Sequence, residues 1–140
     1  MADTAFQPTT PELYQHLGNI YPLMEGHGIE RPLMHLVQLR ASQINQCAFC
    51  VKMHIREARE DGETEARLDR LIVWRQVTDF TPAEKAAFAW TEALTMLRPE
   101  TEYGPLREEL SRHFSASAIG VLTTAIGMIN LWNRLQVSSY

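Results

Sequence analysis

From Ser115 to about Val137 the chain is apolar almost all round a helix: Ile119, Val121, Leu122, Ala125, Ile126, Met128, Ile129, Leu131, Trp132 and Leu135 leave no broad polar face. Such a helix has to lie inside a core or be covered on its outer side by another subunit. With 140 residues in all, one domain must be built around it, spanning 1–140 with a core of about 13–137. In so small a domain both outcomes are expected together, so the chain reads as a homo-oligomer.

The remaining segments also read as helices. Thr10-Pro11-Glu12 is a start, with Thr as N-cap and Pro at the first position, and Leu13, Leu17, Ile20 and Tyr21 carry the stripe to about Met24. Gly26-His27-Gly28 breaks it. Pro32 opens a second helix with Leu33, Leu36, Val37, Ala41 and Ile44 in phase, and Asn45-Gln46 is a bend. A third follows and ends at Asp61-Gly62 with a capping glycine. A fourth runs from about Thr64 to Arg75 on Leu68, Leu71 and Ile72. Thr81-Pro82-Ala83-Glu84 matches a capping box, and its helix buries Ala86, Trp90, Ala93, Leu94 and Leu97 before Pro99. A short helix spans about Gly104 to His113. No strand alternation stands out, so periodicity predicts an all-α fold of about seven helices.

One stretch carries chemistry: Cys47-Ala48-Phe49-Cys50-Val51-Lys52-Met53-His54. These two cysteines are the only ones in the chain, and the histidine follows four positions after the second. Helical spacing gathers Cys47, Cys50 and His54 on one side with Val51, Ala58 and the edge of Ile55, and sends Lys52, Arg56, Arg59 and Glu60 to the other. Water takes the charged side, so thiols and imidazole face inward. A thiol pair beside a base suits nucleophilic chemistry, because the thiolate is the reactive form. Cys47 sits at the helix start, where unpaired N–H groups favour an anion. Cys50 has His54 one turn on, as a base acting directly or through water. The specific base is the stronger handle, which makes Cys50 the attacking thiol. Cys47 is then the resolving thiol, nearer the helix end and the easier one for a reductant to reach. A disulfide is within bridging range but closes too short a loop to add much stability, so chemistry explains it better. Two buried cysteines acting as small apolar residues would leave the pairing and the histidine unexplained.

Net charge is −4 and the isoelectric point about 5.7, so there is no electrostatic case for nucleic acid. No apolar run reads as long enough to span a membrane, and Met1 to Thr10 lacks the pattern of a secretory signal. A cytoplasmic protein with thiols reduced at rest is expected. The methionines and tryptophans fit core positions, and no cofactor is called for.

Arg40-Ala41-Ser42-Gln43-Ile44-Asn45-Gln46-Cys47-Ala48-Phe49-Cys50-Val51-Lys52-Met53-His54 resembles the core of the alkyl hydroperoxidase D (AhpD)-like group of the carboxymuconolactone decarboxylase superfamily. The likeness continues through Glu57-Ala58-Arg59, Gly62-Glu63 and Glu65 to Trp74. It returns in Phe88-Ala89-Trp90-Thr91-Glu92-Ala93-Leu94-Thr95 and in Ile129-Asn130-Leu131-Trp132-Asn133-Arg134. The resemblance implies an all-helical fold assembling as trimers or hexamers, with the CxxC at the N-terminus of a central helix. It implies reduction of organic hydroperoxides or hydrogen peroxide, with Cys50 peroxidatic, Cys47 resolving and His54 the proton acceptor. Two positions depart from the family pattern. Many members carry a glutamate twelve residues before the first cysteine, where this chain has His35, and the usual glycine before that cysteine is Gln46. His35 can take the relay position, since imidazole and carboxylate both exchange protons near neutral pH when tuned. A neutral imidazole cannot supply negative charge to His54, however, and Glu57, three residues after His54, is the alternative for orienting it.

Three readings follow. The first is a thiol peroxidase whose disulfide is reduced by an external dithiol or disulfide-reductase partner. The second is a general disulfide oxidoreductase or redox sensor acting on a protein partner. The third is a non-enzymatic helical module with zinc on Cys47, Cys50 and His54, for which only His35 offers a fourth ligand. Asn130, Asn133 and Arg134 read as interhelical hydrogen-bonding residues, and Ser42 and Gln43 as capping or site-bonding ones.

Overall fold

The computed structural model describes residues 5–140; residues 1–4, and with them part of the Met1–Thr10 segment read above for a leader, lie outside the described residues. All seven expected helical segments form, and the described residues contain no strand. The first segment is broken at Asn19-Ile20 into α1 (Pro11–Gly18) and α2 (Tyr21–Met24). Gly26 and Gly28, with φ of 79° and 96°, then turn the chain in a region where a Cβ would be strained. The second and third segments are α3 (Arg31–Ile44) and α4 (Ala48–Glu60).

The fourth segment starts as α5 (Glu65–Arg70), with the Thr64 hydroxyl accepting from Arg67 N–H, and continues as a 3₁₀ turn over Leu71–Gln76. The change of period moves Ile72 off the buried stripe. Leu71 and Trp74 are buried but Ile72 is 62% exposed, which corrects its expected place in the core. The capping box at Thr81 and Glu84 opens α6 (Pro82–Met96) with both reciprocal bonds made. Leu97 is another correction: it is the left-handed C-cap, φ 49°, so its side chain leaves the helix face and is 62% exposed. α7 (Tyr103–Ser111) leads to α8 (Ala116–Val137), whose cap Ser115 accepts from Ala118 N–H. Leu13 is exposed as well, because α1 lies on the surface and buries no residue completely.

α3 is the hub, packed on α4, α6 and α8, while α6 joins α7 and α8. Leu36, Val37 and Leu39 of α3 meet Phe88 and Ala87 of α6 and Leu122 and Ile126 of α8 in one core. A smaller cluster of Met24, Ala125 and Met128 fastens α2 to the other side of α8. The expectation that no run is long and apolar enough to cross a membrane needs correcting. The 22 residues of α8 pass that test by length and composition, and here they serve as the core helix, with Leu122, Ala125, Ile126 and Ile129 buried.

Candidate active site

The redox stretch follows directly on a helix stop. Cys47 N–H bonds to Ser42 C=O at 3.0 Å and Gln46 N–H to Gln43 C=O at 3.2 Å. Gln46 between them is left-handed, φ 54°. This is the paired-bond C-terminal turn usually closed by glycine. The bend is clasped to α8: Asn45 Nδ2 donates to Asn130 Oδ1 and Asn133 Oδ1 at 2.9 and 3.0 Å, and Asn133 Nδ2 donates to Ser42 Oγ at 3.0 Å. Asn130 and Asn133 thus hold helices together, and Ser42 is spent on the clasp, donating to Gln38 C=O.

Cys47 is the N-cap of α4, and Cys50 and His54 follow on its inner face with Ala58, as the spacing predicts. The two sulfurs are joined in a disulfide with the Cα atoms 5.2 Å apart. Both are buried, Cys47 at 0% and Cys50 at 3% exposure. That corrects the expectation that Cys47 is the accessible thiol. The helix start is covered from outside by Tyr140, whose hydroxyl lies 3.7 Å from Cys47 Sγ and accepts from Phe49 N–H at 3.0 Å. No local signal reveals Tyr140 in the sequence, since it is 93 positions from Cys47.

Cys50, His54 and Glu57 open instead onto a cavity of about 540 Å³. Its walls are mostly apolar and aromatic, with Phe6, Tyr14, Tyr21, Phe49, Met53 and Trp132 around the polar groups Gln38 and Gln136. Edge-to-face contacts of Phe6 with Tyr14 and of Tyr14 with Trp132 fix part of the rim, and Phe6 N–H donates to Gln136 Oε1 at 2.7 Å. This lining comes from the N-terminal segment, α1, α2, α3, α4 and α8, so no sequence spacing could have assembled it.

His54 is 4% exposed, and neither ring nitrogen has a hydrogen-bond partner among the described residues. Burial pushes its imidazole down to about 4, and the neighbouring His35 adds to the effect. The ring is therefore neutral at pH 7 and free to accept a proton. Glu57 Oε2 stands 3.6 Å from His54 Nδ1 and 4.0 Å from His35 Nδ1, one carboxylate between two imidazoles. His35 is anchored on its other side, with Nε2 at 2.5 Å from Asp61 Oδ2, and Asp61 also pairs with Arg31 at 3.1 Å. The hydrogen bond from His35, followed by the Arg31 charge, holds the Asp61 carboxyl below its ordinary value. All four sequence candidates, Cys47, Cys50, His54 and His35, thus lie in one neighbourhood, joined by Glu57, Asp61 and Tyr140. With the two sulfurs bonded to each other, neither is free to hold zinc, and no group of three potential metal ligands forms among the described residues.

A model of the carboxymuconolactone decarboxylase family matches residues 11–93. The uncharacterized protein YdfG of Bacillus subtilis is 34% identical over 110 residues, covering 79% of this chain and 75% of its own. The uncharacterized protein YnjA of Escherichia coli is 33% identical over 101 residues, 72% of this chain and 55% of its own. A crystal structure from Agrobacterium tumefaciens superposes with a TM-score of 0.86 at 36% identity, over 96% of this chain and 94% of that one. It is a protein of unknown function, described as a candidate antioxidant defence protein AhpD. A peroxidase-related protein from a Silicibacter species shares the fold at a TM-score of 0.78 and 20% identity, over 93% of this chain and 69% of its own.

Proposed function

The chain belongs to the carboxymuconolactone decarboxylase family and has the AhpD-like fold, and from that premise we propose that it is a thiol peroxidase acting on organic hydroperoxides. The observation that carries the reading is that Cys50, bonded to Cys47, shares an apolar cavity of about 540 Å³ with His54. In the reduced protein, neutral His54 takes the Cys50 proton. The Cys50 thiolate attacks the distal peroxide oxygen, the O–O bond breaks, and the alcohol leaves with a proton, giving Cys50 sulfenic acid. Cys47 attacks that sulfur, water leaves, and the disulfide forms. A dithiol then supplies two electrons and two protons to restore the thiols.

Glu57 and His35 have distinct roles in this scheme. Glu57 supplies the negative charge that His35 cannot, steadying the His54 imidazolium from 3.6 Å. His35, pinned by Asp61, is the outer member of the relay, meeting Glu57 at 4.0 Å, while the proton taken by His54 leaves on the alcohol. Burial of both sulfurs favours small substrates over the disulfide of a folded protein partner, and the aromatic lining favours a peroxide with an apolar group. The scheme needs no cofactor; it suits a cytoplasmic protein whose Cys47–Cys50 disulfide, the oxidised form seen here, is returned to thiols by a reductant. Exposed Leu23, Ile72, Val73 and Leu97 are consistent with assembly into a homo-oligomer, trimeric or hexameric, to be read from solution mass.

The test is a thiol titration. One equivalent of cumene hydroperoxide should remove both thiols together, with recovery on adding dithiothreitol, and Cys50→Ser should abolish peroxide consumption. Intact thiols after peroxide, or turnover retained in Cys50→Ser, would refute the proposal.

A further inference from the structure

Cys47 is an N-cap with no side-chain oxygen to bond the first-turn amides of α4. Tyr140, beyond the end of α8, fills that role from outside by accepting from Phe49 N–H at 3.0 Å. Having accepted that bond, the hydroxyl still has its hydrogen, and Cys47 Sγ lies 3.7 Å away. A disulfide sulfur has no hydrogen, so in this contact the tyrosine donates. We infer that Tyr140 is a further catalytic residue, whose hydroxyl stabilises Cys47 as the leaving thiolate when a dithiol reduces the Cys47–Cys50 disulfide.

The geometry fixes the direction of that reaction. Cys47 is completely covered, and only Cys50 lines the cavity. A thiolate of the dithiol entering there attacks Cys50 Sγ. The Sγ–Sγ bond breaks, its electron pair goes to Cys47, and a mixed disulfide forms on Cys50. The second thiol of the reductant attacks its own bound sulfur, closing the reductant's disulfide and releasing Cys50 as thiolate; the two protons come from the reductant's thiols. Charge appears on Cys47 in the first step, where the Tyr140 O–H points at it and the Phe49 N–H polarises that O–H from behind. The inference rests on the disulfide turning over as proposed above, but it concerns the reductive half-reaction, which runs without peroxide. Its failure is therefore separable from failure of the peroxidase reading.

The experiment follows reduction of the oxidised full-length protein by dihydrolipoic acid, as the release of free thiols in stopped flow. Tyr140→Phe keeps the ring and removes the hydroxyl, and should slow reduction about fivefold, the effect of one hydrogen bond of ordinary strength made in the transition state. A second measurement does not depend on turnover: in a Cys50→Ser background, the pH midpoint for alkylation of Cys47 by iodoacetamide should rise when Tyr140→Phe is added. Tyr140→Ala, which also uncovers the sulfur, completes the set. If Tyr140 only shields Cys47, Tyr140→Phe will reduce at the wild-type rate, Tyr140→Ala will reduce faster and the alkylation midpoint will stay put. An unchanged rate in Tyr140→Phe or an unchanged alkylation midpoint overturns the inference, and the Tyr140→Ala rate set against that of Tyr140→Phe measures the shielding alone.

Discussion

Two buried polar sites, one around Glu92 and one around His54, show opposite ways of keeping an ionisable group inside a helical core. Glu92 on α6 is 8% exposed, and its carboxylate is fully engaged. It accepts from Trp74 Nε1 at 2.8 Å, Arg40 Nε at 3.1 Å and Arg75 Nη1 at 2.6 Å. Burial opposes ionisation there, but the bonds from Arg75 and Trp74 and the charges of Arg75 and Arg40 outweigh it, and the carboxyl is held below its ordinary value. His54 is equally buried and, among the described residues, has no hydrogen bond at either nitrogen, with the Glu57 carboxylate 3.6 Å from Nδ1. The first site is settled in one protonation state and joins three elements. The second is left with capacity to gain a proton, at a cost in stability. An unsatisfied buried base beside a disulfide is what a proton-accepting role needs, and a satisfied hub is what a structural one needs.

The same substitution should therefore act in opposite directions at the two sites. His54→Leu removes the base and should slow the loss of thiols to peroxide at pH 7 about a thousandfold, within the range of general-base losses. It also removes two ring nitrogens that make no hydrogen bond among the described residues and should raise stability by about 1 kcal/mol in urea unfolding. Glu92→Leu leaves Arg40, Arg75 and the Trp74 N–H without their partner and should lower stability by about 3 kcal/mol, while the thiols still oxidise. Loss of stability in both variants would remove the distinction drawn between the sites.

Acid sharpens the contrast. The His54 imidazole titrates at about 4 in the fold and near 6.5 when unfolded, so the unfolded chain binds the proton first. The associated stability is complete above about pH 6.5, falls by roughly 1.4 kcal/mol per pH unit as pH drops toward 4, and is flat below that. The total is about 3 kcal/mol. Urea midpoints of oxidised wild type and His54→Leu at pH 7.5, 5.5 and 4 should diverge with wild type losing more. Parallel curves would mean that the ring titrates at the same pH in the folded and unfolded chains, so that burial does not lower it.

Glu57 tests how far the unsatisfied site is tuned rather than empty. Glu57→Gln keeps the shape and removes the charge near the His54 and His35 rings. A half-exposed carboxylate at 3.6 Å should be worth about tenfold in the thiol-oxidation rate at pH 7. An unchanged rate would leave His54 acting without a charged neighbour.

Legibility in the sequence divides along local and long-range lines. The capping box at Thr81, the stop at Gly62 and the inner face of Cys50, His54 and Ala58 are set by neighbours within a turn or two, and all form as the spacing implies. Ile72 and Leu97 depart from the helical stripe because the backbone itself leaves helical phase there, at a 3₁₀ turn and at a left-handed cap. Glu57 was within sequence reach of His54, but its position between two imidazoles depends on how α3 lies on α4. Tyr140 and the aromatic cavity walls were out of reach, because only tertiary packing brings residues from both ends of the chain to the start of α4.

The helix stops at the two ends of α4 supply the smallest test. Both use the same paired bonds, Cys47 to Ser42 and Gln46 to Gln43 before the helix, Glu63 to Ala58 and Gly62 to Arg59 after it. The left-handed position holds glycine at the far end, φ 90°, but Gln46 at φ 54° next to Cys47. A side chain there is disfavoured by Cβ contact with its own backbone, a strain only partly offset by the greater flexibility glycine has when unfolded. Gln46→Gly should therefore raise stability by about 0.5–1 kcal/mol, and Leu97→Gly, at the left-handed cap of the helix bearing Glu92, should gain about as much. The Asn45 clasp to Asn130 and Asn133 holds the bend in either case. If Gln46→Gly instead destabilises while Leu97→Gly stabilises, the glutamine is making its own contribution to the redox turn, and strain at that end of α4 is compensated within the site.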